Sequence, residues 1–211
     1  LLNEKKTRPA LAAILPNMQK SYTCLVDTGA SIDVNSASLV EFAHLGTDFM
    51  RRLYKIESPR VGLLSNGAEP TKGNKLVKET HKLLAEDKTI NFVGNVEGSK
   101  TLNGVCDVLV CDGFAGNQVL KNSEGMAINL ITEMIKFGKI SGQEDITMQI
   151  AGYLMKTYDF ESLGAGILLG AKKLVLKCRG SSGATAINNA AKILINISEN
   201  KSIYEGRDER K

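Results

Sequence analysis

The sequence has no tryptophan, and its 211 residues include only 4 prolines, 4 cysteines and 2 histidines. Each scarcity excludes something. Cys24, Cys106, Cys111 and Cys178 form no C-x-x-C pair and sit in or beside apolar runs. A zinc site or a disulfide framework needs closer spacing and, for zinc, more histidine. The four read as buried, reduced thiols, and the expected compartment is cytosolic. His44 and His81 fall inside predicted helices, away from strand ends. That leaves no base for a serine or cysteine nucleophile. No run approaches the about 18–20 apolar residues of a membrane-spanning helix. Leu1-Leu2-Asn3-Glu4-Lys5-Lys6 has no apolar stretch behind its charges, as a secretory signal requires. Charge of one sign is scarce as well. The 27 Lys and Arg nearly balance 23 Asp and Glu, giving a net +4, and no basic stripe marks a nucleic-acid surface. With 43% hydrophobic and 24% charged residues, a disordered chain, a collagen and a coiled coil are excluded.

What the chain does have is 20 glycines and an alternation of short apolar runs with amphipathic stretches. Strands are predicted at Tyr22 to Val26, Arg60 to Leu64, Ile90 to Val93, Val105 to Cys111 and Leu174 to Cys178. A helix capped by Ser36 runs to about Tyr54, with Leu39, Phe42, Ala43, Phe49, Met50 and Leu53 on one stripe. Another runs from Asn74 to Glu86. A long helix reaches about Phe137, breaks at Gly138 to Gly142 and resumes to about Met155. A last helix spans Ala184 to Ile197. Val-Cys-Asp-Val-Leu-Val-Cys is nearly continuous in apolar character, as a strand covered on both faces should be. This rhythm predicts an α/β fold with a mainly parallel sheet, three layers deep.

Ligands of such sheets sit beyond the carboxyl ends of the strands. Four predicted strand exits carry glycine beside polar residues. They are Asp27-Thr28-Gly29-Ala30-Ser31, Ser65-Asn66-Gly67 through Lys72-Gly73-Asn74, Asp112-Gly113-Phe114-Ala115-Gly116-Asn117, and Arg179-Gly180-Ser181-Ser182-Gly183. Glycine allows close backbone approach, and a helix start offers free N–H groups and a positive dipole end. Together they predict a cleft for an oxyanion, most simply phosphate. Neither the P-loop frame nor the dinucleotide fingerprint is present, which weakens a nucleotide reading.

Several of these segments resemble one family. Ile90-Asn91-Phe92-Val93-Gly94-Asn95-Val96-Glu97-Gly98 and Asp112-Gly113-Phe114-Ala115-Gly116-Asn117, with Lys72-Gly73-Asn74 before them, look like the phosphate acyltransferase family of bacterial phospholipid synthesis, the PlsX type. Arg8-Pro9-Ala10-Leu11-Ala12 and Asp27-Thr28-Gly29-Ala30 with Asp33 resemble earlier family signatures. The chain departs from the family at Ser31, where the family has asparagine, and at Arg179, where it has histidine. The family's opening D-A-M-G-G-D and S-A-G-N-T-G-A segments are not found, so the chain is expected to be the C-terminal two-thirds of such an enzyme.

The resemblance implies a fold related to phosphotransacetylases and isopropylmalate dehydrogenases. It implies transfer of a fatty acyl group from acyl carrier protein to inorganic phosphate, with no cofactor and no metal. A coenzyme A-dependent phosphate acetyl- or butyryl-transferase and a non-catalytic remnant are the alternatives. Lys72 and Asn117 are the candidate catalytic residues, Lys72 neutralising phosphate or the oxyanion. Gly73, Asn74, Asn95, Asp112, Gly116, Ser181 and Ser182 are candidate substrate contacts. For Asn117 and the serines a plain helix cap is the competing reading, and Asp112 is expected to organise its turn. Residues 1–170 would form the acyl- and phosphate-binding domain, with two apolar helices at about 117–155. Residues 171–199 would be a returning strand and helix, and 200–211 a polar tail. Ile131, Met134, Ile150 and Leu154 mark the apolar helices as a homodimer or peripheral membrane surface on the inner face of the cell membrane. No nucleic-acid partner is expected.

Overall fold

The computed structural model describes residues 8–158, 165–178 and 183–199. Seven strands form one sheet: β1 (Ala10–Pro16), β2 (Tyr22–Val26), β3 (Arg60–Ser65), β4 (Asn91–Glu97), β5 (Val108–Val110), β6 (Ala165–Leu169) and β7 (Leu176–Cys178). Five helices pack with it: α1 (Ser36–Tyr54), α2 (Lys75–Glu86), α3 (Gly113–Ser141), α4 (Glu144–Thr157) and α5 (Ala184–Glu199). The strand order is β4-β3-β5-β2-β1-β6-β7. β4, β3, β5 and β2 run parallel, whereas β1 is antiparallel to both β2 and β6, and β7 is antiparallel to β6. The sheet is thus parallel in one half and antiparallel in the other.

The apolar runs at its centre follow from coverage on both faces. Cys24, Val26, Val61, Leu63, Val108 and Val110 turn toward α1, where Leu39, Phe42 and Met50 meet them. Leu25 and Leu109 point the other way, into a cluster with Leu15, Cys106 and Cys111 that Ala115, Val119 and Leu120 of α3 cover. All of the side chains in β5 are fully buried.

Two strands escape the periodicity. β1 reads ALAAILP and β6 reads AGILL. Their alanines and glycine carry little strand preference, and their place is secured by pairing, β1 lying between β2 and β6. The first helix is capped one residue earlier than expected. Asn35, not Ser36, accepts the Ser38 N–H at 2.9 Å. The expected break at Gly138 is also absent. α3 continues to Ser141 and ends at Gly142, which adopts a left-handed φ of 69°. Gly138 stays helical because its bare face receives Thr147 of α4.

α3 and α4 form a hairpin whose outer surface is apolar. Ile140 is 86% exposed, and Ile128, Leu130, Phe137, Tyr153 and Met155 each expose about as much as they cover, or more. Among the described residues no helix is long and apolar enough to cross a membrane.

Candidate functional site

The strand order places the carboxyl ends of β3, β5 and β2 side by side. β7 points the opposite way, so Cys178 ends at the other edge of the sheet. Three strand exits therefore share one edge, not the four expected, and the candidates Ser181 and Ser182 lie outside the described residues.

The β2 exit is a closed clasp. Asp27 is fully buried. Its carboxylate accepts the N–H groups of Leu11 at 2.9 Å, Gly29 at 3.1 Å, Ala30 at 3.0 Å and Ser31 at 2.6 Å. The loop's donors are turned inward onto one charge. α3 is pressed against this clasp. Gly116 has no room for a β-carbon, since the Asp27 carbonyl and the Cys111 sulfur occupy the position. The Asn117 side-chain amide donates to the Thr28 carbonyl at 3.2 Å.

The β5 exit leads directly into α3. Asp112 is its cap, accepting from Phe114 at 3.0 Å and Ala115 at 2.8 Å, and the Gly116 N–H donates to the Asp112 carbonyl at 3.0 Å. The first-turn donors offered to an anion by sequence are thus engaged within the protein. Cys111 is no nucleophile here. Burial pushes its thiol well above the ordinary value, the charges of Asp112 and Asp27 push it further, and it donates to the Asp27 carbonyl at 3.4 Å.

The β3 exit is different. Asn66 accepts from the Gly73 N–H at 2.8 Å, folding the loop into a ring. The Glu69 carbonyl accepts from Lys72 N–H at 3.0 Å and from the Asn95 side-chain amide at 2.8 Å. Asn74 caps α2 through the Val77 N–H at 2.9 Å. Among the described residues no acid pairs with the exposed Lys72 ammonium. The Ser65 hydroxyl is buried, and it has no hydrogen-bond partner among the described residues.

The β3 and β5 exits border a cleft of about 570 Å³, with Ser65, Asn66, Gly73, Asn74 and Asp112 as its polar wall and Leu39 and Val77 as its apolar one. A second hollow of similar volume meets it at Asp112, lined by Arg8, Ile32, Asp33 and Phe114. Of the sequence candidates, Gly73, Asn74 and Asp112 line the cleft. Lys72 belongs to the loop at its side, to which Asn95 is hydrogen-bonded, and Gly116 and Asn117 join α3 to the β2 loop. Asn95, expected in a loop, is within β4. Sequence reasoning gave no role to Ser65 or Asp27 and passed over His81. His81 does lie in a helix, and its Nδ1 is 2.9 Å from the side-chain oxygen of Asn95, a contact the sequence did not announce. His44 does stay on the outside of the fold, paired with Asp87 at 2.9 Å. Among the described residues no cluster of His, Cys, Asp or Glu could hold a metal.

This architecture is that of the phosphotransacylases. A branched-chain phosphotransacylase from Enterococcus faecalis superposes with a TM-score of 0.57 at 14% identity, over 89% of this chain and 64% of that one. Sequence narrows the class. The Fatty acid synthesis protein family matches residues 3–204, and the chain belongs to that family. Its relatives include phosphate acyltransferases of Campylobacter lari, 44% identical over 91% of this chain, and of Halothermothrix orenii, 42% identical over 88%. The chain spans 59% and 57% of their lengths.

Proposed function

We propose that this chain carries the phosphate-binding part of an enzyme that moves a fatty acyl group from acyl carrier protein to inorganic phosphate. The observation that carries the reading is the β3 exit. A buried, unpartnered Ser65 hydroxyl and the start of α2 line one cleft, and the Lys72 ammonium, in no ion pair among the described residues, stands on the loop beside it. The names of the relatives, phosphate acyltransferases, support it.

The chemistry suits a site without a catalytic base. Phosphate, with a second pKa of about 6, is largely dianionic near neutral pH. One of its oxygens attacks the thioester carbonyl, the new C–O bond forms, and the carbonyl electrons move onto oxygen. When they return, the C–S bond breaks. The thiolate leaves readily because its thiol has a pKa of about 8.5, and it takes its proton from solvent. The protein has to hold two anionic partners and stabilise the passing oxyanion with fixed donors. Lys72 is the proposed cation for phosphate or oxyanion. Ser65 and the Gly73-Asn74 turn are the proposed phosphate contacts. Asn117 and Asp112 keep the opposite wall in shape.

A coenzyme A-dependent transacylase is the second reading, supported by the structural likeness to phosphotransacylases. Phosphate-dependent thiol release from acyl carrier protein and coenzyme A thioesters separates the two. Release from the carrier-protein thioester alone is expected, with Lys72→Ala reduced about 100-fold, as loss of one oxyanion donor costs. Equal turnover of coenzyme A thioesters selects the second reading. Release from neither would mean a non-catalytic remnant.

We also propose that the α3–α4 hairpin is the membrane-facing or dimer-forming part. Ile150 is exposed, and Ile131, Met134 and Leu154 are half-buried at the edges of the hairpin. Contiguous exposed apolar surface of this kind marks an interaction site, and Lys139 and Lys156 beside it suit anionic lipid. Flotation with anionic vesicles, reduced by Ile140→Glu, is the expected result. Undiminished flotation of that variant would refute the membrane role.

A further inference from the structure

We propose that His81 is a positioning residue that holds the Lys72 backbone in place through Asn95 and the Glu69 carbonyl. The inference rests on Lys72 having the role proposed above.

The link is a series of three hydrogen bonds. His81 Nδ1 lies 2.9 Å from Asn95 Oδ1. Asn95 Nδ2 donates to the Glu69 carbonyl at 2.8 Å. The same carbonyl accepts the Lys72 N–H at 3.0 Å. The direction of each bond follows from chemistry. A carbonyl can only accept, so the Asn95 NH₂ must face Glu69 and its oxygen must face His81. The imidazole must then donate from Nδ1. The neutral Nδ1–H tautomer and the imidazolium both do so, whereas the neutral Nε2–H tautomer would set two lone pairs against each other. His81 is therefore not a proton shuttle, because its Nδ1 proton is committed. Its ring stands edge-on to Phe92, with centroids 5.0 Å apart, which fixes the direction of that N–H.

The arrangement matters because Asn95 is only 7% exposed. Without His81 its oxygen has no donor in a place that water reaches poorly, and the amide no longer has one preferred orientation. The Glu69 carbonyl is then held by Lys72 alone. A lysine stem is long and flexible, so the ammonium can be no better placed than the backbone it hangs from. His81 lies on α2, outside the cleft lining, and so acts through the loop.

The test uses the whole chain with inorganic phosphate as the probe. His81→Phe keeps the ring and its contact with Phe92 but removes the donor, and His81→Gln restores an N–H. Exchange of the Lys72 amide, followed by hydrogen–deuterium exchange, is expected to rise about tenfold in His81→Phe. Phosphate affinity measured by calorimetry is expected to fall about tenfold, the size of one hydrogen bond. His81→Gln should recover most of both. Asn95→Leu should mimic His81→Phe, and the double variant should be no worse than Asn95→Leu, because the two act in series. Unchanged phosphate affinity in a folded His81→Phe protein, or additive losses in the double variant, would overturn the inference. One measurement needs no variant. Imidazole ¹⁵N spectra of the unmodified chain should show the neutral ring protonated at Nδ1, and an Nε2–H tautomer overturns the link. If the unmodified chain binds no phosphate, the functional reading fails by itself, and the exchange rates and tautomer still decide whether His81 holds the loop.

Discussion

Gly116 occupies a helical position that ordinarily welcomes alanine. Replacing glycine inside a helix by alanine stabilises by about 0.8–1 kcal/mol through propensity alone. Here a β-carbon would fall on the Asp27 carbonyl oxygen and 2.7 Å from the Cys111 sulfur. The carbonyl is backbone and belongs to the β2 exit, whose loop is drawn onto a buried carboxylate by three N–H bonds, with a fourth from Leu11 of β1. Neither side has freedom to yield. Forcing an extra carbon into such packing costs typically about 1–3 kcal/mol, so against the propensity gain Gly116→Ala should be destabilised by up to about 2 kcal/mol net. The same helix supplies its own control. Gly125 has nothing within 4 Å of the position its β-carbon would take, so Gly125→Ala should gain about 0.5–1 kcal/mol. Urea denaturation followed by circular dichroism measures both. The two substitutions are chemically identical and lie on one helix, so opposite signs isolate the close approach from helix propensity. A Gly116→Ala protein as stable as Gly125→Ala would refute the claim that α3 is locked against the β2 exit.

Two further outcomes are expected. Cys24, Cys106 and Cys111 are buried, and burial pushes the Cys24 and Cys106 thiols up to about 12. Brief iodoacetamide treatment of the native chain at about pH 8 should therefore modify Cys178 alone, giving one adduct by intact mass, and two or more adducts would contradict the burial. The Asp87 carboxyl is held below its usual range by the Thr89 hydroxyl and N–H, and by His44. A depressed folded-state pKa stabilises at neutral pH, and that contribution is lost as pH falls below about 4 and through the folded-state value. Asp87→Asn should denature earlier than the parent at pH 7 and converge with it in acid, while equal midpoints at neutral pH would count against a stabilising role for the Thr89 and His44 contacts.

The parallel half of the fold was legible because burial on both faces writes itself as unbroken apolar sequence, as in Val108-Leu109-Val110. The antiparallel half was not. Ala10–Pro16 and Ala165–Leu169 are strands by virtue of their neighbours, and a run of alanine and glycine gives no local signal of that. The direction of β7 was equally hidden, since a strand looks the same read toward either edge. At the site, Asn74 and Asp112 announced themselves as polar residues before helices, and both do cap them. Lys72-Gly73-Asn74 was visible as a turn. What could not be read was which donors would be spent inside the protein. Asp27 takes up the N–H groups of its own loop, and Asn117 is tied to Thr28. His81 is in the helix that the sequence predicted, but the helical pattern gave no sign that α2 brings it to Asn95, distant by 14 residues in sequence.

α3 runs unbroken for 29 residues, about 43 Å at 1.5 Å per residue. One end is the Asp112 cap at the cleft, and the other is Ile140, nearly bare at the tip of the apolar hairpin. A rod clamped at its base transmits angle, not distance. A tilt of about 5° at the base sweeps the tip through about 4 Å over that length, and a load on the tip returns to the base as torque. The contact of Gly116 with the Asp27 carbonyl is the fulcrum. A surface that gripped the hairpin would therefore act mechanically on the wall of the cleft, with no intervening joint to absorb the movement.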